Sequence, residues 1–124
     1  MDRTTDLTDI AVLVVEDDYF IATEMAGVLR QHGARVLGPV PDTQRARELL
    51  RRESPDVALL DVNLRGRMSY DLAEELLEHG VPAVFATGYD ASILPAPLRG
   101  MPCLLKPVDT RELVRVIHAS GARA

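Results

Sequence analysis

"IAVLVVEDD" runs from Ile10 to Asp18, six apolar residues followed at once by three acids. The apolar part shows no alternation with polar residues, which predicts a strand buried on both faces, as in a parallel sheet. The same pattern recurs down the chain. Val57–Leu60 leads into Asp61, Ala83–Ala86 into Thr87, and Cys103–Leu105 into Lys106, while Arg35–Val40 is a fifth short apolar run. None of these runs is long enough to cross a bilayer.

Amphipathic segments separate the runs. Ile21, Met25, Val28 and Leu29 fall on one helical face, and "QHG" at 31–33 predicts a helix ending on a C-cap glycine. Asp42 precedes a helix whose apolar side is Ala46, Leu49 and Leu50. Leu72, Ala73, Leu76 and Leu77 define a third apolar face, ending in His79–Gly80. Asp109 and Glu112 have the spacing of a capping box before Leu113, Val116 and Ile117. Between the fourth and fifth strands, "ASILPAPLRGMP" carries Pro95 and Pro97, so the helix expected there holds one or two turns at most, with marginal stability and unusual mobility. Strands alternating with helices predict a three-layer, doubly wound α/β domain, covering 1–124 with its core from about 10 to 120.

Composition agrees with that class and narrows the function. The chain has 124 residues, 47% hydrophobic and 27% charged, enough for one well-cored domain. A net charge of −5 with scattered basic residues argues against direct nucleic-acid binding. The one cysteine, Cys103, leaves no internal disulfide and fits a reducing compartment, and the polar N-terminus is unlike a signal peptide. The expectation is a cytoplasmic protein without membrane attachment.

Ligands in doubly wound sheets collect at the carboxyl ends of the strands. Glu16, Asp17 and Asp18, then Asp61, Thr87 and Lys106, all fall at that edge. Clustered carboxylates repel one another unless a cation joins them, and an all-oxygen set without His or Cys favours a hard ion such as Mg²⁺. A lysine and a hydroxyl facing that ion suit a phosphoryl group, which an aspartate can accept as a nucleophile. Asp18 reads as a helix N-cap, and His32 and His79, each before a glycine at a helix end, read as dipole compensation.

Four stretches carry a family resemblance: "VLVVEDD" (12–18), "VALLDVNL" (57–64), "VFATGY" (84–89) and "LLKPVD" (104–109). Together they resemble the receiver domain of bacterial two-component response regulators. The resemblance implies a flavodoxin-like parallel sheet of order 2-1-3-4-5, with Asp61 as the phosphoacceptor. It implies Mg²⁺ at Glu16 (through water), Asp17, Asp61 and the main-chain carbonyl of Asn63. Thr87 and Lys106 would bind the phosphoryl group, and the Lys106–Pro107 bond would be cis. The phosphodonor would be a phosphohistidine on a sensor histidine kinase or phosphotransfer protein, with output through protein contacts or as a phosphate sink. Such a domain catalyses only its own modification and is not an enzyme acting on an external substrate.

Two departures stand out. Receivers commonly place an aromatic switch three residues before the lysine, where this chain has Cys103. "FATGY" is similar to the signature of the single-domain FATGUY-type subset, without its extra residue, which makes Tyr89 the candidate switch. A surface aromatic that merely shapes access to the site is the competing reading of Tyr89. An interaction module working without phosphorylation, or a receiver cut from a longer regulator or hybrid kinase, are the alternative functions. A small phosphatase of α/β type is disfavoured, because strand one lacks an Asp-x-Asp pair.

Overall fold

The computed structural model describes residues 5–88 and 94–122. Its elements are β1 (Ala11–Val15), α1 (Tyr19–Gln31), β2 (Arg35–Val40), α2 (Thr43–Leu50), β3 (Val57–Asp61), β4 (Asn63–Leu64), β5 (Arg67–Met68), α3 (Tyr70–Glu78), β6 (Ala83–Thr87), a 3₁₀ turn (Ala96–Leu98), β7 (Cys103–Leu105) and α4 (Thr110–Gly121). Five strands form a parallel sheet in the order β2-β1-β3-β6-β7. Counting only those strands, this is the expected flavodoxin-like 2-1-3-4-5.

Side chains alternate across the sheet although both faces are apolar. Leu13, Val15, Ala58, Leu60, Ala83 and Phe85 point toward α2, α3 and the 3₁₀ turn, where they meet Ala46, Leu72, Leu76 and Leu98. Val12, Val14, Leu59, Val84 and Ala86 point the other way, onto Met25 and Leu29 of α1 and Leu113 and Ile117 of α4. Two cores of this kind explain the unbroken apolar runs. Each fully buried Val, Leu or Phe contributes about 1.5–3 kcal/mol.

The helix ends follow their caps. Asp18 accepts from the N–H of Phe20 and Ile21 at 2.9 and 3.1 Å, Asp42 from Arg45 at 2.8 Å, and Asp109 from Arg111 and Glu112 at 2.8 and 3.0 Å. Gly33, at φ 99°, follows α1 in the left-handed conformation that glycine adopts without strain. Of the three histidines, the two at helix C-termini each meet a carbonyl, His32 Nδ1 that of Thr5 and His79 Nδ1 that of Glu75.

Some expectations need correction. Leu77 is 38% exposed rather than buried, because α3 presents Leu72, Ala73 and Leu76 to the core. Burial begins before residue 10: Leu7 is fully buried and its N–H donates to His32 O at 2.7 Å. The β4–β5 hairpin was not anticipated. In the proline-rich segment, the described part holds one 3₁₀ turn, with Pro95 as its N-cap and Pro97 inside it, and Leu94 and Leu98 are fully buried. The start of that segment, including Tyr89 and Asp90, lies outside the described residues.

Candidate functional site

The carboxyl ends of β1, β3, β6 and β7 bring the site together. Parallel pairing sets Val15 beside Leu60, Asp61 beside Ala86 and Thr87 beside Leu105. The last residues of β3 and β6, Asp61 and Thr87, and the residues following β1 and β7, Glu16 and Lys106, therefore arrive at one edge. Glu16, Asp17 and Asp61 each offer a carboxylate oxygen, and these oxygens lie within 4.8 Å of one another. Asp18 is not among them, since its carboxylate caps α1.

Lys106 bridges two of the acids. Its Nζ donates to Asp61 Oδ2 at 2.9 Å and lies 2.6 Å from Glu16 Oε1. The lysine is carried there by β7, whose pairing continues as the Lys106 N–H donates to Thr87 O at 2.8 Å. The Lys106–Pro107 bond is cis, as is Gly38–Pro39, which the sequence reading did not single out. Thr87 is 2% exposed at the end of the neighbouring strand. Asn63 sits two residues beyond Asp61, with its N–H donating to Asp61 Oδ1 at 3.2 Å. Cys103 is half-buried against the core beneath β7.

The electrostatics are those of an overcrowded acidic site. Glu16 is 2% exposed and Asp61 8%. Burial pushes the Glu16 carboxyl up to about 7, against the lowering effect of Lys106 and of the Asp18 N–H, and the Asp61 charge adds to the rise. Burial would lower the pKa of Lys106, but its ion pairs with Glu16 and Asp61 outweigh that and hold it above its ordinary value. One ammonium faces three carboxylates, so the lysine alone does not neutralise them. Among the described residues, Glu16 Oε1 is buried with no well-angled hydrogen bond, and its close contact is the lysine ion pair. An under-satisfied buried oxygen in a set of oxygen donors fits a hard divalent cation such as Mg²⁺, which binds through one or two carboxylates and keeps several waters.

The sequence profile of the response regulator receiver domain matches residues 12–118. The chain belongs to this family. Among curated proteins, it is 30% identical over 116 residues to the transcriptional regulatory protein PdtaR of Mycobacterium tuberculosis, covering 90% of this chain and 57% of that protein. It is 32% identical over 115 residues to the sensory transduction protein RegX3 of Mycolicibacterium smegmatis, covering 88% of this chain and 49% of the other. The receiver thus spans about half the length of these relatives. Among solved structures, the BeF3-activated conformation of SdrG from Pseudomonas melonis Fr1 superposes with TM-score 0.76 at 32% identity, over 92% of this chain and 96% of that one. The Brucella abortus response regulator PhyR shares the fold, with TM-score 0.80 at 22% identity over 96% of this chain and 50% of that one.

Two polar contacts beside these acids escaped the sequence reading. Ser69 is fully buried and its hydroxyl donates to the main-chain carbonyl of Asp61 at 2.7 Å. The main-chain N–H of Arg65 donates to Asp17 Oδ2 at 3.0 Å. A serine just before an apolar helix face suggests a cap, and its side chain makes no cap hydrogen bond here. Arg65 acts through its backbone, which leaves no signature in residue type. Among the described residues, no helix is long and apolar enough to cross a membrane.

Proposed function

We propose that this receiver accepts a phosphoryl group on Asp61 from a phosphohistidine of a sensor histidine kinase or phosphotransfer protein. The observation that carries this reading is Lys106 Nζ held between Asp61 Oδ2 and Glu16 Oε1 at the edge where Thr87 also ends its strand. An Asp61 carboxylate oxygen forms a bond to phosphorus as the P–N bond to the donor imidazole breaks, and the electron pair leaves with the imidazole. Lys106 then meets the charge on the transferred oxygens, and Thr87 donates its hydroxyl to one of them. Glu16, Asp17, Asp61 and the Asn63 carbonyl would hold Mg²⁺, which supplies neutralisation of the negative charge shared between carboxylates and phosphoryl group. Release occurs by hydrolysis, with water admitted beside Asn63.

Signalling follows through protein contacts or phosphate sequestration in the cytoplasm. Tyr89 is the proposed reporter of phosphorylation, since Cys103 has no ring to swing inward and "FATGY" is similar to the FATGUY-type signature. Comparing Tyr89→Ala with Cys103→Ala by NMR on addition of BeF3 tests this: only the Tyr89 variant should lose the activation shifts, and their retention removes the proposal. The near-complete coverage of SdrG supports a receiver acting alone. The partial coverage of PdtaR and RegX3 favours, as a second reading, one receiver within a longer regulator.

Phosphorylation itself is tested by intact mass after incubation with acetyl phosphate and Mg²⁺. Wild type should gain one phosphoryl group and Asp61→Asn none. Equal labelling of the two, or none on wild type, overturns the assignment of Asp61.

A further inference from the structure

We propose that the β4–β5 hairpin is a positioning element of the acidic site, in which the main-chain N–H of Arg65 orients the Asp17 carboxylate toward a divalent cation. The proposal rests on the reading of Glu16, Asp17 and Asp61 as cation ligands.

Of those three acids, Asp17 is the least buried, and it lies on the loop between β1 and α1 rather than at a strand end. A carboxylate so placed has rotamer freedom that cation binding must remove. Its hydrogen bond to the Arg65 N–H, 48 residues away in sequence, engages Oδ2 at 3.0 Å and leaves the other oxygen free of that bond.

The donor is itself tightly placed. Arg65 and Gly66 have φ of 54° and 84°, the two positive values that a two-residue type I′ hairpin requires. An arginine in the left-handed region costs about 1–2 kcal/mol, so the conformation persists only where its surroundings impose it. Asn63 Oδ1 accepts from the Gly66 N–H at 2.8 Å and closes the turn. At the base, Val62 and Leu64 are almost fully buried in the core. Ser69 fastens the returning chain, donating through its N–H to Val62 O at 2.9 Å and through its hydroxyl to Asp61 O at 2.7 Å.

One short hairpin is therefore tied at its base to the main chain of Asp61 and at its tip to the carboxylate of Asp17. It fixes the spacing of two acids that come from opposite ends of the fold's first half. Groups that orient a metal ligand in this way typically change metal affinity about 10–100-fold when removed. The competing account is that the Arg65 N–H merely finds an acceptor, with no effect on the ion.

Calorimetric Mg²⁺ titration, paired with thermal melts in the absence of Mg²⁺, separates the two. Asn63→Ala keeps the main-chain carbonyl at 63 but frees the turn, and Gly66→Ala strains the turn while its added methyl meets nothing within 4 Å. Both should weaken Mg²⁺ binding by about 10-fold with little change in the melting temperature of the apo protein. Arg65→Gly keeps the N–H and relaxes the positive φ, so its affinity should match wild type. The Arg65 amide resonance should also move in Asp17→Asn, and its failure to move would remove the hydrogen bond on which the proposal stands. Wild-type affinity in both Asn63→Ala and Gly66→Ala overturns the proposal while leaving the site reading intact. Weakening confined to Arg65→Gly overturns it in favour of the guanidinium. Absence of Mg²⁺ binding by wild type overturns the site reading and this inference together. Should Asn63→Ala fail to fold, Gly66→Ala decides alone.

Discussion

The two edges of the sheet handle carboxylates in opposite ways. At the amino edge, Asp56 precedes β3 and its Oδ2 accepts from the Ala11 N–H at 2.8 Å, stitching β3 to β1. There a carboxylate serves the fold. At the carboxyl edge, Glu16, Asp17 and Asp61 crowd together against one lysine, Glu16 is driven up to about 7, and one of its oxygens lacks a hydrogen bond. There the fold tolerates unfavourable charge. Such strain persists where a ligand is to relieve it, and it lies at the edge where doubly wound sheets bind ligands.

The largest expected contrast is chemical. Asp61→Asn should abolish labelling by acetyl phosphate, whereas Asp56→Ala should label normally and lose about 1–3 kcal/mol of stability in urea denaturation. Loss of labelling in Asp56→Ala would break the division between edges. The next contrast is one of sign. Glu16→Gln removes a buried charge and should raise the stability of the cation-free protein at pH 8 by on the order of 1–3 kcal/mol, while weakening Mg²⁺ binding. Destabilisation of Glu16→Gln at that pH would show that the site is not strained.

The pH dependence follows from the same carboxyl. Its folded pKa, about 7, lies above its unfolded value of 4.5, so the folded state holds the extra proton between them. This contribution to stability is fully present below pH 4.5 and is lost as pH rises through about 7. Cation-free protein should therefore lose stability on going from pH 6 to 8, and Glu16→Gln should flatten that slope. The smallest effect concerns Asp18. As a cap, Asp18→Ala should cost about 1 kcal/mol and leave Mg²⁺ affinity unchanged, which sharpens the distinction between it and Asp17.

How much of this the sequence revealed depends on the range of the interaction. Apolar runs ending in Glu16, Asp61, Thr87 and Lys106 announced the sheet and the residues gathered at its carboxyl edge, because strand burial is written in local composition and topology then brings the ends together. The caps at Asp18, Asp42 and Asp109 were legible for the same local reason. The hairpin was not: its strands are two residues each, too short for a period to show, and its contact with Asp17 is made by a backbone N–H. Leu7 was hidden in a polar N-terminal stretch, and only its tertiary contact buries it. Leu77 followed the helical period but sits at the margin of the buried face, where period alone does not set exposure.

The most direct test of the carboxyl edge as a cation-requiring site is the thermal shift produced by Mg²⁺ at two pH values. A bound cation stabilises the folded state according to its affinity, and protonation of Glu16 below about pH 7 opposes it. A clear rise in melting temperature at pH 8, smaller at pH 6 and lost in Asp17→Asn, is the predicted result. No shift at pH 8, or an equal shift in Asp17→Asn, would contradict the account.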